Sequence, residues 1–354
     1  MGLMAQSKSN FNIQELFGKP TEEVDEILKE KERHVMRIQI PKKDGTMRKV
    51  LAPDKYLKFI QKSLYWKLFR RYRPSDAAHG FVSKRGIVSN AEQHVRSKSM
   101  GKIDIKSFFD TVSVDHLKNC LFGNKNVCRY CKHYERMMDG GCHPSIYKNK
   151  NEKFDYRCEE IKAVYIPHYC QETGYQSLFQ RVIDACTYNG FTAQGFPTSP
   201  VIANIVMRGF DQTMIEFCNQ HHVVYTRYAD DLTFSSKRLT KEKLKALIQK
   251  KAYRLLWAYG FKPNYKKTVW KGESGRMKTC GVVINEKLSV QRSNVLLFRA
   301  KVHHATVKEA ETTSLAKIRQ LKGYASFMMS IDKKRGEMYM NILNEFEKKK
   351  FGKE

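Results

Sequence analysis

Two adjacent carboxylates stand at the tip of a predicted β-hairpin. The apolar and aromatic stretch from Val223 to Tyr228 leads to Ala229, and Asp230 and Asp231 follow directly. Adjacent like charges repel each other, and a divalent cation with oxygen ligands relieves that repulsion. An Asp-Asp pair also occurs in ordinary turns, so a turn without any chemistry is the alternative interpretation of this pair taken alone.

A third carboxylate, Asp104, lies in a predicted strand between Ile103 and Ile105. An ionised carboxylate in apolar surroundings costs several kcal/mol unless it is paired or bound to a metal. Phosphoryl transfer to a growing strand uses two Mg²⁺ ions about 4 Å apart, held by such oxygen ligands. The three acids therefore predict a two-metal site in which Asp104, Asp230 and Asp231 are the catalytic and metal-ligating residues.

The charge balance indicates a polyanionic partner. The chain has 65 Lys and Arg against 36 Asp and Glu, a formal net charge of +29. Nucleic acid is the leading partner, because each neutralised phosphate releases counterions, whereas solubility alone requires far less charge. No run of about 18 apolar residues predicts a membrane span, and residues 1–10 are too polar for a secretory signal. We therefore expect a cytoplasmic protein with reduced cysteines and no membrane partner.

Four motifs in a fixed order make the chain resemble reverse transcriptases. They are residues 104–109, residues 194–200 followed by Ala203 and Asn204, the box 228–231, and residues 260–268. The resemblance covers residues from about 36 to 285. It implies an α+β fold with the right-hand polymerase architecture of fingers, palm and helical thumb. The activity it implies is that of an RNA-directed DNA polymerase, a magnesium-dependent nucleotidyltransferase.

The resemblance also implies a domain organisation. Asp44-Gly45, between two alternating stretches, predicts a hairpin in the fingers. The expected domains are an N-terminal helical extension (1–35), fingers (36–100), the first part of the palm (101–122), a cysteine-rich insertion (123–175), the second part of fingers and palm (176–285) and a helical thumb (286–354).

Further site residues follow from the resemblance alone. The backbone of Ile105 would join the Mg²⁺ ligands, and Phe109 stands where the family keeps an aromatic ring that selects deoxynucleotides by excluding a 2′-OH. The residues expected to bind the dNTP or its pyrophosphate are Arg48, Phe109, Gln194, Gly195, Lys266 and Lys267. Phe109 as an ordinary core residue and Arg48 as a solvated surface charge are the alternatives.

One short signature indicates the retron branch of that family. Asn90-Ala91-Glu92-Gln93-His94 resembles the Asn-Ala-x-x-His signature of retron reverse transcriptases, although a capped helix with a satisfied histidine is the alternative. The second retron signature, Val-Thr-Gly, is matched here by Thr279-Cys280-Gly281, which keeps only the glycine. We assign Asn90, His94 and Gly281 to RNA recognition on this resemblance.

The retron resemblance implies specific partners. Retron enzymes reverse-transcribe a cognate noncoding RNA, msr-msd, from an internal 2′-OH into a branched RNA–DNA hybrid called msDNA. They often keep this cDNA product bound together with an effector or toxin protein in an antiphage system. Arg292, Arg299 and Arg319, in the basic C-terminal helices, are expected to contact the RNA, with an ordinary solvated helix face as the alternative. A non-retron bacterial defence enzyme and a catalytically idle RNA-binding scaffold remain the competing functions.

The predicted insertion concentrates cysteines. Cys128 and Cys131 have the spacing of a zinc knuckle, and Cys142 and Cys158 would complete a structural Zn²⁺ site, with Cys170 as a competing fourth ligand. A loop with free cysteines is the alternative, because the second pair lacks the usual spacing.

Overall fold

The computed structural model describes residues 13–41, 45–122 and 175–352 of the 354-residue chain. The chain divides into two compact units. The first contains the residues up to Ser75, Lys106–Thr213 and Tyr259–Phe261, and the second contains Asp76–Ile105, Met214–Ala258 and Lys262–Glu354.

Runs of helices and runs of strands follow each other along the described residues, which is the pattern of an α+β fold. In chain order the α-helices are α1 (Ile13–Phe17), α2 (Thr21–Lys29), α3 (Lys55–Lys67), α4 (Ile87–Glu92), α5 (Phe108–Thr111), α6 (Val114–Phe122), α7 (Tyr175–Cys186), α8 (Ser199–Val206), α9 (Arg208–Gln220), α10 (Lys241–Ala258), α11 (Arg292–His303), α12 (Leu315–Ile331) and α13 (Lys333–Phe351). The strands are β1 (Val35–Pro41), β2 (Met47–Pro53), β3 (Ser99–Asp104), β4 (Val224–Tyr228), β5 (Asp231–Ser236), β6 (Val269–Gly272), β7 (Lys278–Thr279), β8 (Val282–Val283) and β9 (Ser289–Val290). None of these helices combines the length and apolar composition needed to cross a membrane.

In the first unit, β1 and β2 form the hairpin that the sequence predicts. They pair antiparallel from Val35 opposite Pro53 to Pro41 opposite Met47. Gly45 has a φ of 79° in the connection, a conformation that glycine adopts without steric cost. Residues 42–44, which include the predicted turn residue Asp44, lie outside the described residues.

Helix α3 anchors the core of the first unit. Its N-terminus is capped by the Asp54 carboxylate, which accepts from the backbone N–H groups of Tyr56 and Leu57, both at 3.0 Å. One face of α3 is buried against α1, α2 and α7. The residues of that face are Leu57, Ile60, Gln61 and Leu64.

The second unit contains a four-stranded antiparallel sheet in the order β4-β5-β3-β6. The two central strands are mostly buried, and helix α10 packs against the sheet. Residue 104 of β3 faces residue 231 of β5 in this register. The sheet therefore fixes the relative positions of the acids that the sequence singled out.

A small second sheet follows in the same unit. Strands β7, β8 and β9 are each two residues long and pair antiparallel in that order. Strands of two residues are too short to show the alternation by which a sequence pattern reveals a strand. Cys280 and Gly281 form the β7–β8 turn with φ values of 48° and 84°, as a two-residue turn with two left-handed residues requires.

Helices α11, α12 and α13 form a separate hydrophobic cluster in the second unit, around Phe298, Ile318 and Leu343. The side chains of Ser314 and Asp332 cap α12 and α13. This arrangement is consistent with a helical thumb, although the predicted domain boundaries stay predictions. The predicted insertion is described only at residue 175, so Cys128, Cys131, Cys142, Cys158 and Cys170 lie outside the described residues.

Candidate active site

The β4–β5 turn presents two of the three predicted carboxylates. Ala229 and Asp230 form the two-residue turn, and Asp231 begins β5. Ala229 has a φ of 56°, in the left-handed region that costs a non-glycine residue roughly 1 to 3 kcal/mol. The buried Arg227 guanidinium donates to the Ala229 carbonyl at 3.2 Å, and the Ile105 N–H donates to the Asp230 carbonyl at 2.9 Å. These hydrogen bonds hold the turn against its backbone strain.

The three acids come together from two strands and this turn. Asp104 ends β3 directly opposite Asp231 in the antiparallel pair of β3 and β5. Burial, followed by the negative charge of Asp104 and to a smaller extent that of Asp231, raises the pKa of Asp230 to about 6. The ionised Asp230 carboxylate is thus disfavoured both by its loss of water and by two like charges. A divalent cation would relieve this repulsion.

Three side chains hold two of these carboxylates, and the sequence analysis assigned only one of the three, Lys267, to the site. Lys102 Nζ donates to Asp231 at 2.7 Å, Asn264 Nδ2 donates to Asp104 at 3.0 Å, and Lys267 Nζ lies 3.3 Å from the other Asp104 oxygen. Of these, Lys267 was expected at the pyrophosphate and not on an acid. Strand alternation places Lys102 on the same face of β3 as Asp104, because residues two apart in a strand share one face, but it does not identify Asp231 as the partner of Lys102.

The donor set of the three acids fits Mg²⁺. Carboxylate oxygens are the ligands that this hard cation prefers. Across the described ranges, no three His, Cys, Asp or Glu side chains stand close enough together to form a preformed metal cluster. The acids therefore match the cation in chemistry, while their present partners are the ammonium groups of Lys102 and Lys267.

The first unit carries a separate set of predicted site residues. Arg48 is exposed on β2. The backbone carbonyl of Gln194 accepts from the Leu51 N–H at 2.8 Å, which ties the Gln194 loop to the same strand. The Phe109 carbonyl accepts from Thr192 Oγ1 at 2.8 Å, so the same loop also holds α5. This loop is thus bonded both to β2, the strand that carries Arg48, and to the backbone of Phe109.

Gly195 has a structural reason to be glycine. Its φ is +115°, and a Cβ atom there would lie 2.3 Å from the Leu51 carbonyl oxygen. Within the first unit, the backbone of this glycine therefore closely approaches strand β2. Contact with a nascent base pair stays a prediction.

The three defined residues of the Asn-Ala-x-x-His signature, Asn90, Ala91 and His94, are fully buried. Asn90 Nδ2 donates to Thr279 Oγ1 at 3.1 Å, and His94 bonds through its two ring nitrogens to Ser235 and Thr226, both at 2.7 Å. Asn90 therefore joins α4 to β7, and His94, just after α4, joins this segment to strands β4 and β5 of the four-stranded sheet. Its part in RNA recognition stays a prediction, and in this structure it acts by holding other elements and not as an exposed surface.

The burial of His94 predicts an acid-sensitive fold. Burial, followed by the charge of His79, lowers the pKa of His94 to about 3, whereas the unfolded chain protonates near 6.5. Below pH 6.5 the imidazole of His94 is protonated in the unfolded state but stays neutral in the folded state. The free energy of unfolding therefore decreases as the pH falls toward 3. Between pH 7 and pH 5 this loss is about 2 kcal/mol, and His94→Gln should remove it.

Denaturant unfolding at pH 7 and pH 5 measures this loss. His303→Gln, which replaces an exposed histidine at the end of α11, is the matched control and should keep the wild-type pH dependence. An unchanged pH dependence in His94→Gln would contradict the prediction.

The remaining predicted RNA contacts are exposed in the second unit. Gly281 lies in the β7–β8 turn, where a Cβ atom would meet nothing within 4 Å. Arg292 and Arg299 lie on α11, and Arg319 lies on α12. Lys266 is also exposed, beside Lys267. All are open to solvent, and their roles in binding RNA or pyrophosphate stay predictions.

Comparison with known proteins gives a family match. The family described as "Reverse transcriptase (RNA-dependent DNA polymerase)" matches residues 40–284, more than half of the chain. The retron Mx65 reverse transcriptase of Myxococcus xanthus is 27% identical over 301 residues, which cover 85% of this chain but only 62% of that protein. The retron Ec86 reverse transcriptase of Escherichia coli is 26% identical over 309 residues, covering 87% of this chain and 78% of that one. Among solved structures, apo telomerase from Candida tropicalis truncated from the C-terminal domain aligns with 15% identity and a TM-score of 0.42, covering 76% of this chain and 59% of that chain, a similarity too low to add to the family match.

Proposed function

The chain belongs to the reverse transcriptase family, and on that premise we propose that it is an RNA-directed DNA polymerase of the retron type. Family membership confirms the predicted α+β fold class with right-hand polymerase architecture. The observation that carries the activity is the convergence of Asp104, Asp230 and Asp231, two opposite each other on paired strands and one in the turn between strands.

The three carboxylates would hold two Mg²⁺ ions, with the backbone of Ile105 as a further ligand. When bound, such ions activate the 3′ hydroxyl for attack and stabilise the leaving pyrophosphate. The chain's own contribution is to fix the acids. The Arg227 guanidinium and the Ile105 N–H hold the turn, while Asn264 fixes one oxygen of Asp104. Lys102 and Lys267 would release the acids when the cations bind.

Each residue expected to bind the nucleotide has a role that the resemblance of its own motif implies. Arg48 would bind the triphosphate of the incoming dNTP, and Gln194 with Gly195 would line the nascent base pair. Phe109 would exclude a ribose 2′-OH, and Lys266 or Lys267 would assist the leaving pyrophosphate. These roles rest on the resemblance of the motifs, supported by the shared loop that holds β2, Gln194 and α5.

The retron assignment rests on the Asn90 and His94 signature and on the sequence identity of the chain to the retron Mx65 and Ec86 reverse transcriptases. We propose a cognate msr-msd RNA as template and partner, with branched msDNA as the product. An effector protein, a role in antiphage defence and a cytoplasmic location belong to the same proposal. The departure at Thr279-Cys280-Gly281 keeps a non-retron bacterial defence enzyme as the second candidate.

Two experiments separate the levels of this proposal. Expression of the chain with its upstream flanking DNA should yield a small DNA whose gel mobility changes after ribonuclease treatment, as a branched RNA–DNA hybrid requires. Purified protein should also extend a DNA primer on an RNA template with dNTPs and Mg²⁺.

The outcomes of the two experiments distinguish a retron enzyme, another polymerase and an RNA-binding scaffold. Primer extension without branched DNA would support the polymerase activity but reject the retron assignment. The absence of both products from folded wild-type protein would reject the proposed activity and favour an RNA-binding scaffold.

A further inference from the structure

Helix α3 exposes three aromatic rings outside its buried face, and two of them, Phe59 and Trp66, lie on the opposite side of the helix. Tyr56, Phe59 and Trp66 are 44%, 49% and 56% exposed, although α3 buries its aliphatic residues completely. Phe59 and Trp66 are seven residues apart, with Lys62 between them on the same side of the helix. At about 1.5 Å per residue, the two rings are separated by roughly 10 Å along the helix axis. We call Tyr56, Phe59 and Trp66 the α3 aromatic face.

Each ring of the α3 aromatic face has a cation beside it. Lys55 Nζ lies 4.9 Å from the centre of the Tyr56 ring, and Arg70 Cζ lies 4.8 Å from that of Trp66. Lys19 Nζ lies 5.5 Å from the Phe59 ring and also pairs with Glu23. Helix α3 itself contains four lysines and no acidic residue. The exposed side is therefore both aromatic and positively charged.

This combination indicates the chemistry of a ligand. Single exposed apolar residues are common on soluble proteins, but three aromatic rings with their cations on one helix face are not. The large apolar side chains exposed on α3 are all aromatic, with no Leu, Ile, Val or Met among them. A protein partner packs on aliphatic and aromatic groups alike, whereas nucleic-acid bases stack on flat rings while phosphates pair with lysines.

We propose that the α3 aromatic face, together with Lys62, binds single-stranded RNA by stacking of unpaired bases. Bases in a double-stranded RNA are stacked on each other and are not accessible to these aromatic rings, so the bound strand has to be unpaired. The choice of RNA over DNA rests on the proposed function, in which an RNA is the strand that the enzyme binds before synthesis begins. The charge complementarity to phosphate is independent of that choice.

Equilibrium binding tests this proposal. The probe is a fluorescently labelled 15-nucleotide oligo(A) RNA, added to the full chain in EDTA without dNTPs so that no synthesis takes place. The variant with Phe59→Ala and Trp66→Ala should bind about tenfold more weakly or worse, since each stacked base contributes roughly 1 to 3 kcal/mol. Binding should also quench the fluorescence of Trp66, one of three tryptophans in the protein, and Trp66→Phe should remove that quenching.

Matched variants distinguish base stacking on the α3 aromatic face from nonspecific binding of RNA to exposed aromatic side chains. Trp257 on α10 is 50% exposed with Lys262 Nζ 5.5 Å from its ring, so Trp257→Ala removes a similar ring elsewhere and should leave affinity unchanged. Trp66→Phe should retain most of the affinity, whereas Trp66→Leu should not, because leucine offers no flat ring. Lys62→Gln should reduce the slope of log K against log salt by about 0.7.

Several results would overturn the proposal. These are wild-type affinity in the double alanine variant with an unchanged melting temperature, and full retention of affinity in Trp66→Leu. If the double alanine variant bound oligo(dA) more weakly but oligo(A) as well as the wild type does, the face would be assigned to DNA. If that variant lost a co-purified protein but kept its affinity for RNA, the face would be assigned to a protein partner. Asp230→Asn should bind the oligo(A) probe normally, so a failed polymerase test leaves this binding test unaffected.

Discussion

Replacing Asp230 with asparagine should reduce kcat for primer extension by roughly a thousandfold or more, equivalent to about 4 kcal/mol in the activation barrier. The amide keeps the size and one oxygen of the carboxylate but loses the charge that would balance a divalent cation. The acid stands in the strained β4–β5 turn, where Ile105 and Arg227 fix the backbone on either side of it. No other described carboxylate has this position, so compensation by a neighbour is not expected.

The same substitution should leave the fold intact or stabilise it. In metal-free protein, ionised Asp230 is buried and repelled by Asp104 and Asp231, which is why its pKa is raised. Asparagine removes this repulsion, so the melting temperature measured in EDTA should equal or exceed that of the wild type. Loss of activity together with retained stability separates a catalytic role from a structural one.

Asp115→Asn provides the control for the loss of one negative charge. Asp115 is exposed in the first turn of α6, and its replacement should change neither kcat nor melting temperature by a large amount. An Asp230→Asn enzyme with kcat within tenfold of the wild type would remove Asp230 from the proposed metal site. Single-turnover extension on an RNA template, with the purified variants at equal concentration, measures the difference.

The carboxylates were predictable because their signals are local in sequence. Asp230 and Asp231 follow an alternating strand, and Asp104 interrupts an apolar one, so each is conspicuous within a window of a few residues. The β1–β2 hairpin was predictable for the same reason. Strand pairing then places Asp104 opposite Asp231, a relation between positions 127 residues apart (231 − 104) that no local pattern contains.

The residues that fix the acids were harder to predict because their roles depend on tertiary contacts. From the sequence, Lys102 would be taken for a surface lysine, because the 2.7 Å hydrogen bond to Asp231 depends on the pairing of β3 with β5. Arg227 reads as a charge in a strand, and only the fold shows its side chain fully buried beneath the turn. The Asn90 and His94 signature suggested recognition of RNA, yet the described structure buries both side chains between α4, β7 and the sheet. Sequence motifs therefore brought out the three carboxylates, whereas the side chains that hold them became evident only from the fold.

Gly80 gives the clearest test of that support. A Cβ atom at Gly80 would lie 2.6 Å from the backbone nitrogen of Ala229 and 3.2 Å from the carbonyl carbon of Tyr228. The segment has little freedom to move away, because the Arg227 N–H donates to the Ala77 carbonyl at 2.7 Å and the His79 N–H donates to the Arg227 carbonyl at 2.8 Å. Gly80→Ala therefore has to displace the turn that carries Asp230.

The expected result of Gly80→Ala is a loss in both activity and stability. A displacement of about 1 Å at a catalytic group costs on the order of a hundredfold in rate, and we expect a reduction of that size in kcat/KM for primer extension. Overpacking of this kind costs about 1 to 3 kcal/mol of stability, which chemical denaturation would detect. Activity should be measured well below the melting temperature, so that the unfolded fraction does not contribute.

Gly86→Ala is the matched control for this substitution. Gly86 lies six residues further along (86 − 80) in the same unit, and a Cβ atom there would meet nothing within 4 Å. Its replacement should leave kcat/KM within a few-fold of the wild type, since only the cap of α4 changes. If Gly80→Ala retained the activity of Gly86→Ala, the turn would tolerate displacement, and the close contact between Gly80 and Ala229 would not be what positions Asp230. A loss of kcat/KM in Gly80→Ala alone would instead show that contact with the Ala77–Gly80 segment fixes the position of the turn that carries Asp230.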